Sequence, residues 1–187
     1  MNILIACEYS GIVRDAFTRK GHNAISCDLI PTESPGNHYQ GDVFDIINDG
    51  WDMMIAHPPC TYLSNAARRV WNAPGRAEKR QEALEFFLKL YNAPILKIAV
   101  ENTIGYVGIA FRKPDQIIQP YYFGDPVQKK TCLWLKGLPP LIGFMGHSNP
   151  QNTKLPGNWF NKGGKDRQKN RAKTFPGIAR AMADQWG

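Results

Sequence analysis

The sequence predicts an α/β fold with a mostly parallel sheet flanked by helices on both faces. Short apolar runs alternate with helical stretches through the first half of the chain, as in strand-helix-strand units. Polar residues follow the ends of several of these runs, where open α/β sheets bind their ligands. The 187 residues, 43% of them hydrophobic, suffice for one compact domain with its own core.

The first half of the chain is predicted to contain five strands, from its apolar runs, and two helices, from its amphipathic stretches. The strands are expected at 2–6, at 22–27, just before Gly41 and Asp42, at 52–56 and at 95–100. The helices are expected at 13–20 and 76–92, and in the second of them apolar residues recur with the 3.6-residue period of a helix.

The second half is predicted to change character along its length. Residues 117–124 and 131–135 are typical of two further strands, which a turn over 125–130 would join as a hairpin. The chain is expected to divide into a core (1–137), a short, basic, loop-rich segment (138–170) and a C-terminal helix within 171–187 that returns to the core. We expect all three parts to form a single compact domain.

The composition argues against a membrane protein and against a fold held together by metal ions or disulfides. No apolar run approaches the roughly 20 residues of a membrane span, and the N-terminus has no basic leader, so we expect a cytoplasmic protein without a membrane partner. The four cysteines form no CxxC pair, so we expect neither a metal site nor a disulfide framework.

Positive charge is concentrated in two segments of the chain. The formal net charge is +7, and eight Lys and Arg face only two Asp between residues 145 and 187. Five further basic residues face one glutamate between residues 68 and 80. Interleaved aromatic and amide side chains favour contacts with phosphates and bases over the alternative, a solvated face. We therefore expect a nucleic-acid partner.

Two short motifs carry candidate chemistry. The first is His57-Pro58-Pro59-Cys60, in which two prolines after a strand fix the backbone and hold the thiol in one place. The second is Glu101-Asn102, which follows a strand at the same predicted edge of the sheet. Taken alone, the first motif is also compatible with an incidental Pro-rich loop, and the second with a helix N-cap or a surface carboxylate.

Together and in this order the motifs resemble the DNA cytosine-5 methyltransferase family, and in particular its short members from phage and prophage genomes. The segment 6–17 stands in the place of that family's glycine-rich loop, 58–60 resembles its catalytic loop, and 101–103 resembles the segment that holds the target base. The resemblance covers residues 2–136 and extends to the closing helix within 171–187. It implies a Rossmann-like S-adenosylmethionine-dependent methyltransferase fold, DNA cytosine-5 methylation, and a bacterial or phage-infected cytoplasm.

The resemblance also implies roles for individual residues. Catalysis would rest on Cys60 as the nucleophile, Glu101 on the edge of the base, and Asn102 as a brace for the loop. The S-adenosylmethionine contacts would come from Cys7, Glu8, Tyr9, Gly11, Asp28, Leu29, Asp42, Val43 and Pro58. The DNA contacts would come from Arg68, Arg69, Gln128, Lys129, Lys130, Lys165, Arg167, Lys169 and Arg171.

The chemistry explains why these residue types are needed. A thiolate that adds to C6 of cytosine activates C5 toward a methyl group, and a carboxyl group at N3 favours the addition. The thiol must be partly ionised, and we expect nearby basic residues to lower the pKa of Cys60. Because C6 is inaccessible within a duplex, the base must be flipped out or already single-stranded.

Three departures from the family keep alternatives open. Only Gly11 remains of the glycine-rich loop, Gln128-Lys129-Lys130-Thr131 replaces an Arg-rich motif, and about 35 residues stand where a full target-recognition domain is usual. The alternatives are a methyltransferase acting on RNA, single-stranded or nucleotide cytosine, and a degenerate nucleic-acid-binding relative. An amino-methyltransferase fits less well, because it would give Cys60 and Glu101 no purpose.

Overall fold

The computed structural model describes residues 1–144 and 171–187, and in them seven strands form one sheet in the order β3-β2-β1-β4-β5-β7-β6. The strands are β1 (Asn2–Ala6), β2 (Asn23–Asp28), β3 (His38–Gln40), β4 (Met53–Ala56), β5 (Lys97–Thr103), β6 (Gln116–Ile118) and β7 (Thr131–Lys136). The first five strands are parallel to one another, and β7 lies antiparallel between β5 and β6.

Helices cover both faces of this sheet. They are α1 (Ile12–Thr18), α2 (Arg76–Tyr91), the short α3 (Val107–Ala110) and α4 (Pro176–Trp186). Helices α1 and α4 bury Phe17 and Met182 against one face, together with Ile3 of β1. Helix α2 buries Phe87 against the other face, where it meets Leu4. Successive residues of β1 therefore enter opposite cores, which explains why its apolar run is continuous.

Two predicted boundaries in the second half are wrong. The strand predicted at 117–124 ends at Ile118, and Pro120–Phe123 forms a 3₁₀ turn, because Pro120 has no N–H for a sheet ladder. Strand β5 does not end at Val100 but continues to Thr103, because β7 pairs with it up to Thr131. Glu101 and Asn102 therefore lie within a strand. The antiparallel pairing of β6 with β7, expected of a hairpin, is confirmed.

The strand order, with an antiparallel β7 inserted beside β5, is that of the Rossmann-like methyltransferase fold, so the predicted fold class is confirmed. The order reverses between β1 and β4, and ligands of open α/β sheets bind where such a reversal leaves a crevice at the carboxyl ends of the strands. Among the helices that the structure describes, none has the length and apolarity required to cross a bilayer. The division into three parts stays a prediction, since most of 138–170 lies outside the described residues.

Candidate active site

The two sequence motifs, 57–60 and 101–102, meet at the carboxyl ends of β4 and β5. The backbone N–H of His57 donates to the carbonyl of Ala6 at 2.9 Å, so the segment that follows β4 is still held against β1. Neighbouring β5 brings Glu101 to the same edge of the sheet. The two motifs are 41 residues apart in sequence between Cys60 and Glu101, and the parallel pairing of their strands joins them in space.

A buried histidine-carboxylate pair links the two motifs. His57 Nδ1 and Glu101 Oε2 are 2.7 Å apart, and the side chains are only 7% and 17% exposed. Burial disfavours the charged form of both groups, but their mutual hydrogen bond and the attraction of their charges together outweigh it, raising the pKa of His57 and lowering the pKa of Glu101. The Glu101 side chain is therefore an ionised carboxylate at neutral pH.

Asn102 braces the loop that carries the thiol. Its side chain is buried, and Nδ2 donates to the carbonyl of Pro58 at 3.1 Å, while Oδ1 accepts from the backbone of Thr103 at 3.0 Å. Both polar ends of the amide are thus satisfied inside the protein. The contact joins β5 directly to the Pro58-Pro59 turn, which is the bracing role expected from the sequence.

Cys60 is exposed at this edge of the sheet. Its pKa is shifted in the direction opposite to the one predicted from the sequence. Crowding by surrounding protein atoms raises the pKa of the thiol, and Glu101 adds to the rise, whereas Lys129 and Arg171 lower it only in part. The prediction that basic neighbours lower the pKa overall is wrong, because desolvation outweighs them. The thiol is thus mainly protonated at neutral pH.

The residues expected to contact DNA lie in different settings. Lys129 is half-buried at the catalytic edge, where Nζ donates to the carbonyl of Arg171 at 3.0 Å. Gln128, Lys130 and Arg171 are exposed around it, and Arg68 and Arg69 are exposed in a 3₁₀ turn after the catalytic loop. The remaining three, Lys165, Arg167 and Lys169, lie outside the described residues.

A backbone clamp, formed by residues 63–65 and 104–106, joins the loops that follow Cys60 and Glu101. Tyr106 N donates to the carbonyl of Leu63 at 2.7 Å, and Asn65 N donates to the carbonyl of Ile104 at 3.0 Å. Between these bonds a Cβ on Gly105 would lie 1.9 Å from the Leu63 oxygen, so only glycine allows this approach. The clamp holds the loop that carries Cys60 against the strand that carries Glu101.

We expect Gly105→Ala to open the clamp. The methyl group must displace the backbone of Leu63, so turnover should fall by roughly 10²-fold, the loss that a misplacement of about 1 Å produces in an active site. Single-turnover kinetics and thermal unfolding measure the effect. Gly108→Ala is the matched control, because a Cβ there meets no atom within 4 Å. Equal activity of the two variants would show that the clamp does not position the site.

A cavity of about 390 Å³ opens beside the catalytic loop, at the ends of β1 and β2. Five of the predicted cofactor residues line it, namely Cys7, Asp28, Leu29, Asp42 and Val43. Asp28 Oδ1 accepts from Ile30 N at 3.2 Å, which fixes that carboxylate at the strand end. The volume falls within the range of small-molecule sites.

Sequence reasoning missed the opposite wall of this cavity. That wall comes from Pro59 and the catalytic loop and from helix α2, and includes Tyr62, Lys79, Glu82, Ala83 and Phe86. The helical period predicted α2 and its buried face, but only the packing shows that the turn at 79–86 borders the pocket. Pro58 is buried behind Pro59 and does not line the cavity.

The segment between β1 and α1 is organised by Glu8. Its carboxylate is 5% exposed and accepts from Val13 N at 2.7 Å, Arg14 N at 3.1 Å and Ser10 Oγ at 3.1 Å. These bonds satisfy free N–H groups at the start of α1, so the structure places Glu8 as a helix cap. Tyr9 beside it is also buried, and that burial raises its pKa to about 12.

Gly11 begins α1 in a left-handed conformation, with φ at 74°. A Cβ at this position would lie 2.4 Å from the guanidinium of Arg14, which is itself buried. Arg14 donates to the carbonyls of Ser34 and Pro35 at 3.0 and 3.1 Å and so holds the loop after β2. Gly11 therefore serves the backbone turn and the packing of Arg14.

The fold and the site together define a protein of the Rossmann-like methyltransferase fold with a thiol and a carboxylate beside its ligand crevice. No known family profile matches the sequence, and no curated protein matches it. The chain is similar to the solved structure of the Entamoeba histolytica methyltransferase EhMeth, at 15% identity and a TM-score of 0.49, over 74% of this chain and 53% of that one. It is also similar to the S. pombe Dnmt2 methyltransferase, at 13% identity and a TM-score of 0.48, over 83% of this chain and 58% of that one. The chain thus spans a little more than half the length of these structures.

Proposed function

We propose that the protein is an S-adenosylmethionine-dependent DNA cytosine-5 methyltransferase that uses Cys60 as its nucleophile. One observation carries the proposal: an exposed thiol on a braced loop and a buried, ionised Glu101 lie at the same edge of the sheet. A cavity of suitable size for a cofactor borders the same loop.

The two catalytic side chains divide the chemistry. Cys60 gives up its thiol proton and forms a bond from sulfur to C6 of cytosine; the C5=C6 electron pair shifts to C4–C5 and the C4=N3 pair shifts to N3, which takes up a proton. Glu101 lies on the Watson–Crick edge and stabilises that proton and the 4-amino group. C5 then takes the methyl group, and loss of the C5 proton to solvent restores the C5=C6 bond and releases the thiolate, which regains a proton as N3 loses its own.

The residues around the cavity fit S-adenosylmethionine. Asp28 and Asp42 supply acceptors for ribose hydroxyl and adenine amino groups, and Val43 and Phe86 supply apolar walls for the adenine ring. When bound, the cofactor supplies an electrophilic methyl group on its sulfonium. The protein's part is to hold it beside Pro59, one residue before the nucleophile.

Methyl transfer from labelled S-adenosylmethionine tests the proposal directly. Duplex DNA, single-stranded DNA, RNA and deoxycytidine triphosphate are offered in parallel, and bisulfite sequencing locates any modified cytosine. We expect label in DNA at C5 of cytosine. Label in RNA alone would show that RNA, and not DNA, is the substrate. Absence of label from every substrate would overturn the proposed function, whether or not the protein binds S-adenosylmethionine.

Asp28→Ala is expected to weaken cofactor binding rather than chemistry. A carboxylate that accepts from a ribose hydroxyl contributes about 1.5–3 kcal/mol, so the dissociation constant should rise by about 10-fold to 150-fold. Titration calorimetry with S-adenosylmethionine measures the change. Asp49→Ala removes an exposed aspartate at the far edge of the sheet and should bind normally. Equal affinity of both variants would place the cofactor elsewhere.

Arg68 and Arg69 are expected to contact phosphates. Neutralising both as Arg68→Gln/Arg69→Gln should weaken binding to all DNA sequences and reduce the slope of log K against log salt by roughly 0.9 per lost contact. The methylated site should stay the same, because phosphate contacts carry no sequence information. Arg19→Gln/Lys97→Gln, at the opposite edge of the sheet, is the matched control. An unchanged slope in the first variant would make this turn a solvated face.

A further inference from the structure

We propose that His57 is a positioning residue for Glu101: its Nδ1–H holds one carboxylate oxygen and so presents the other, in the ionised form, to the target cytosine. The inference rests on the proposed function and extends it to a residue to which the sequence analysis assigns no role. Its basis is the 2.7 Å contact from His57 Nδ1 to Glu101 Oε2 in a buried setting.

Both members of the pair sit on rigid backbone. His57 is tied to Ala6 of β1 by a 2.9 Å hydrogen bond and is followed by two prolines. Glu101 lies inside β5, with β4 on one side and β7 on the other, in register with Leu133. A hydrogen bond between two such fixed points restricts the rotamers of the carboxylate, which is how catalytic groups are preorganised.

A purely structural role does not explain why a histidine, with two polar ring nitrogens, is buried at position 57. Nε2 of His57 is buried and has no hydrogen-bond partner within residues 1–144 and 171–187, so burying this ring leaves a polar atom unsatisfied. An apolar side chain of similar size would pack there without that cost. The hydrogen bond that the ring does make goes to the carboxylate of the proposed catalytic pair.

The surrounding charges favour a proton on His57 and a negative charge on Glu101. The groups that act on His57 are Glu101 from β5, Glu8 from the loop after β1 and Lys129 from the segment before β7. The two carboxylates raise the pKa of His57, and Lys129 opposes them. When pH rises through this raised pKa, the ring loses the Nε2 proton and keeps Nδ1–H, because Glu101 fixes that tautomer. The hydrogen bond from Nδ1 therefore orients the Glu101 carboxylate at pH values both below and above the pKa of His57.

Three variants of His57 separate positioning from packing. Asparagine places its amide nitrogen near the position of Nδ1 and should preserve the hydrogen bond, whereas glutamine places it nearer Nε2, and leucine has no donor. We expect His57→Asn to keep most of the single-turnover rate. His57→Gln and His57→Leu should lose roughly 10²-fold in kcat with KM for DNA unchanged, as expected from a misplaced catalytic group. His22→Asn, at a half-buried histidine outside the site, is the matched control.

The pH profile adds a readout that packing would not move. Without its partner, the buried Glu101 carboxyl should have a pKa that desolvation raises above its value in the wild type, so a smaller fraction of it is ionised at a given pH. The rate deficit of His57→Leu relative to wild type should therefore shrink as pH rises and Glu101 ionises again. Cys60 titrates in both proteins, so the comparison uses the ratio of the two rates rather than the pH dependence of either rate alone.

Nuclear magnetic resonance of the His57 ring supplies a readout that needs no activity. Its pKa should fall in Glu101→Gln, because the carboxylate that raises it is gone. If His57→Leu does not fold, the comparison of asparagine with glutamine decides the question. Equal rates for those two variants, or a deficit independent of pH, would overturn the role of His57. Absence of methyl transfer in the wild type would instead refute the proposed function.

Discussion

Cys60→Ser is expected to abolish methyl transfer and to leave the affinity for S-adenosylmethionine unchanged. A serine hydroxyl is far less ionised than a thiol at neutral pH, so it does not add to C6 of cytosine. We expect a loss of at least ~10⁴-fold, in line with the removal of covalent nucleophiles from other enzymes. Cofactor binding should survive because Cys60 does not line the cavity, whereas its neighbour Pro59 does.

A covalent adduct separates this outcome from simple damage to the loop. DNA that contains 5-fluorocytosine has no proton at C5, so in the presence of S-adenosylmethionine the C6 adduct takes the methyl group at C5, cannot then resolve by elimination, and should persist in denaturant. Mass spectrometry should find the adduct with wild type and not with Cys60→Ser. Cys132→Ser, at a buried thiol of β7, controls for loss of a cysteine and should still form it. An adduct in Cys60→Ser would assign the nucleophile to another residue.

Local patterns predicted the half of the fold that positions the site. The strands β1, β2, β4 and β5 were found from their apolar runs, because each is buried on both faces of a parallel sheet and shows a continuous signal. The 3.6-residue period found α2 to within one residue at its end. The location of Cys60 and Glu101 at the same edge of the sheet was predicted because the carboxyl ends of neighbouring parallel strands lie side by side.

The features of the site that the sequence did not predict depend on contacts between segments that are distant along the chain. The end of β5 is set by its antiparallel partner β7, so the position of Glu101 inside a strand is a tertiary effect. The direction of the Cys60 pKa depends on desolvation, which a count of nearby charges does not contain. The partner of His57 lies 44 residues away, and no local signal marks it.

Glu101→Gln is expected to preserve the shape of the site and to slow catalysis by roughly 10²-fold to 10⁴-fold, the contribution of a positioned acid-base group. The glutamine carbonyl can still accept from His57 Nδ1, which leaves the NH₂ group toward the base. That group donates hydrogen bonds, so it cannot stabilise the proton that N3 takes up or accept from the 4-amino group. The negative charge on this edge, which the ionised Glu101 supplies in wild type, is also lost.

The rate of adduct formation with 5-fluorocytosine DNA measures this step, because it depends on addition to C6 and a group at N3 acts on that addition. Binding of DNA and of S-adenosylmethionine should change little, and thermal unfolding should show a folded protein. Glu85→Gln, on the exposed face of α2, removes one negative charge away from the site and should react at the wild-type rate. If Glu101→Gln formed the adduct as fast as Glu85→Gln, the carboxylate would have no part in the addition. The buried pair with His57 would then be a structural contact, and base activation would need another residue.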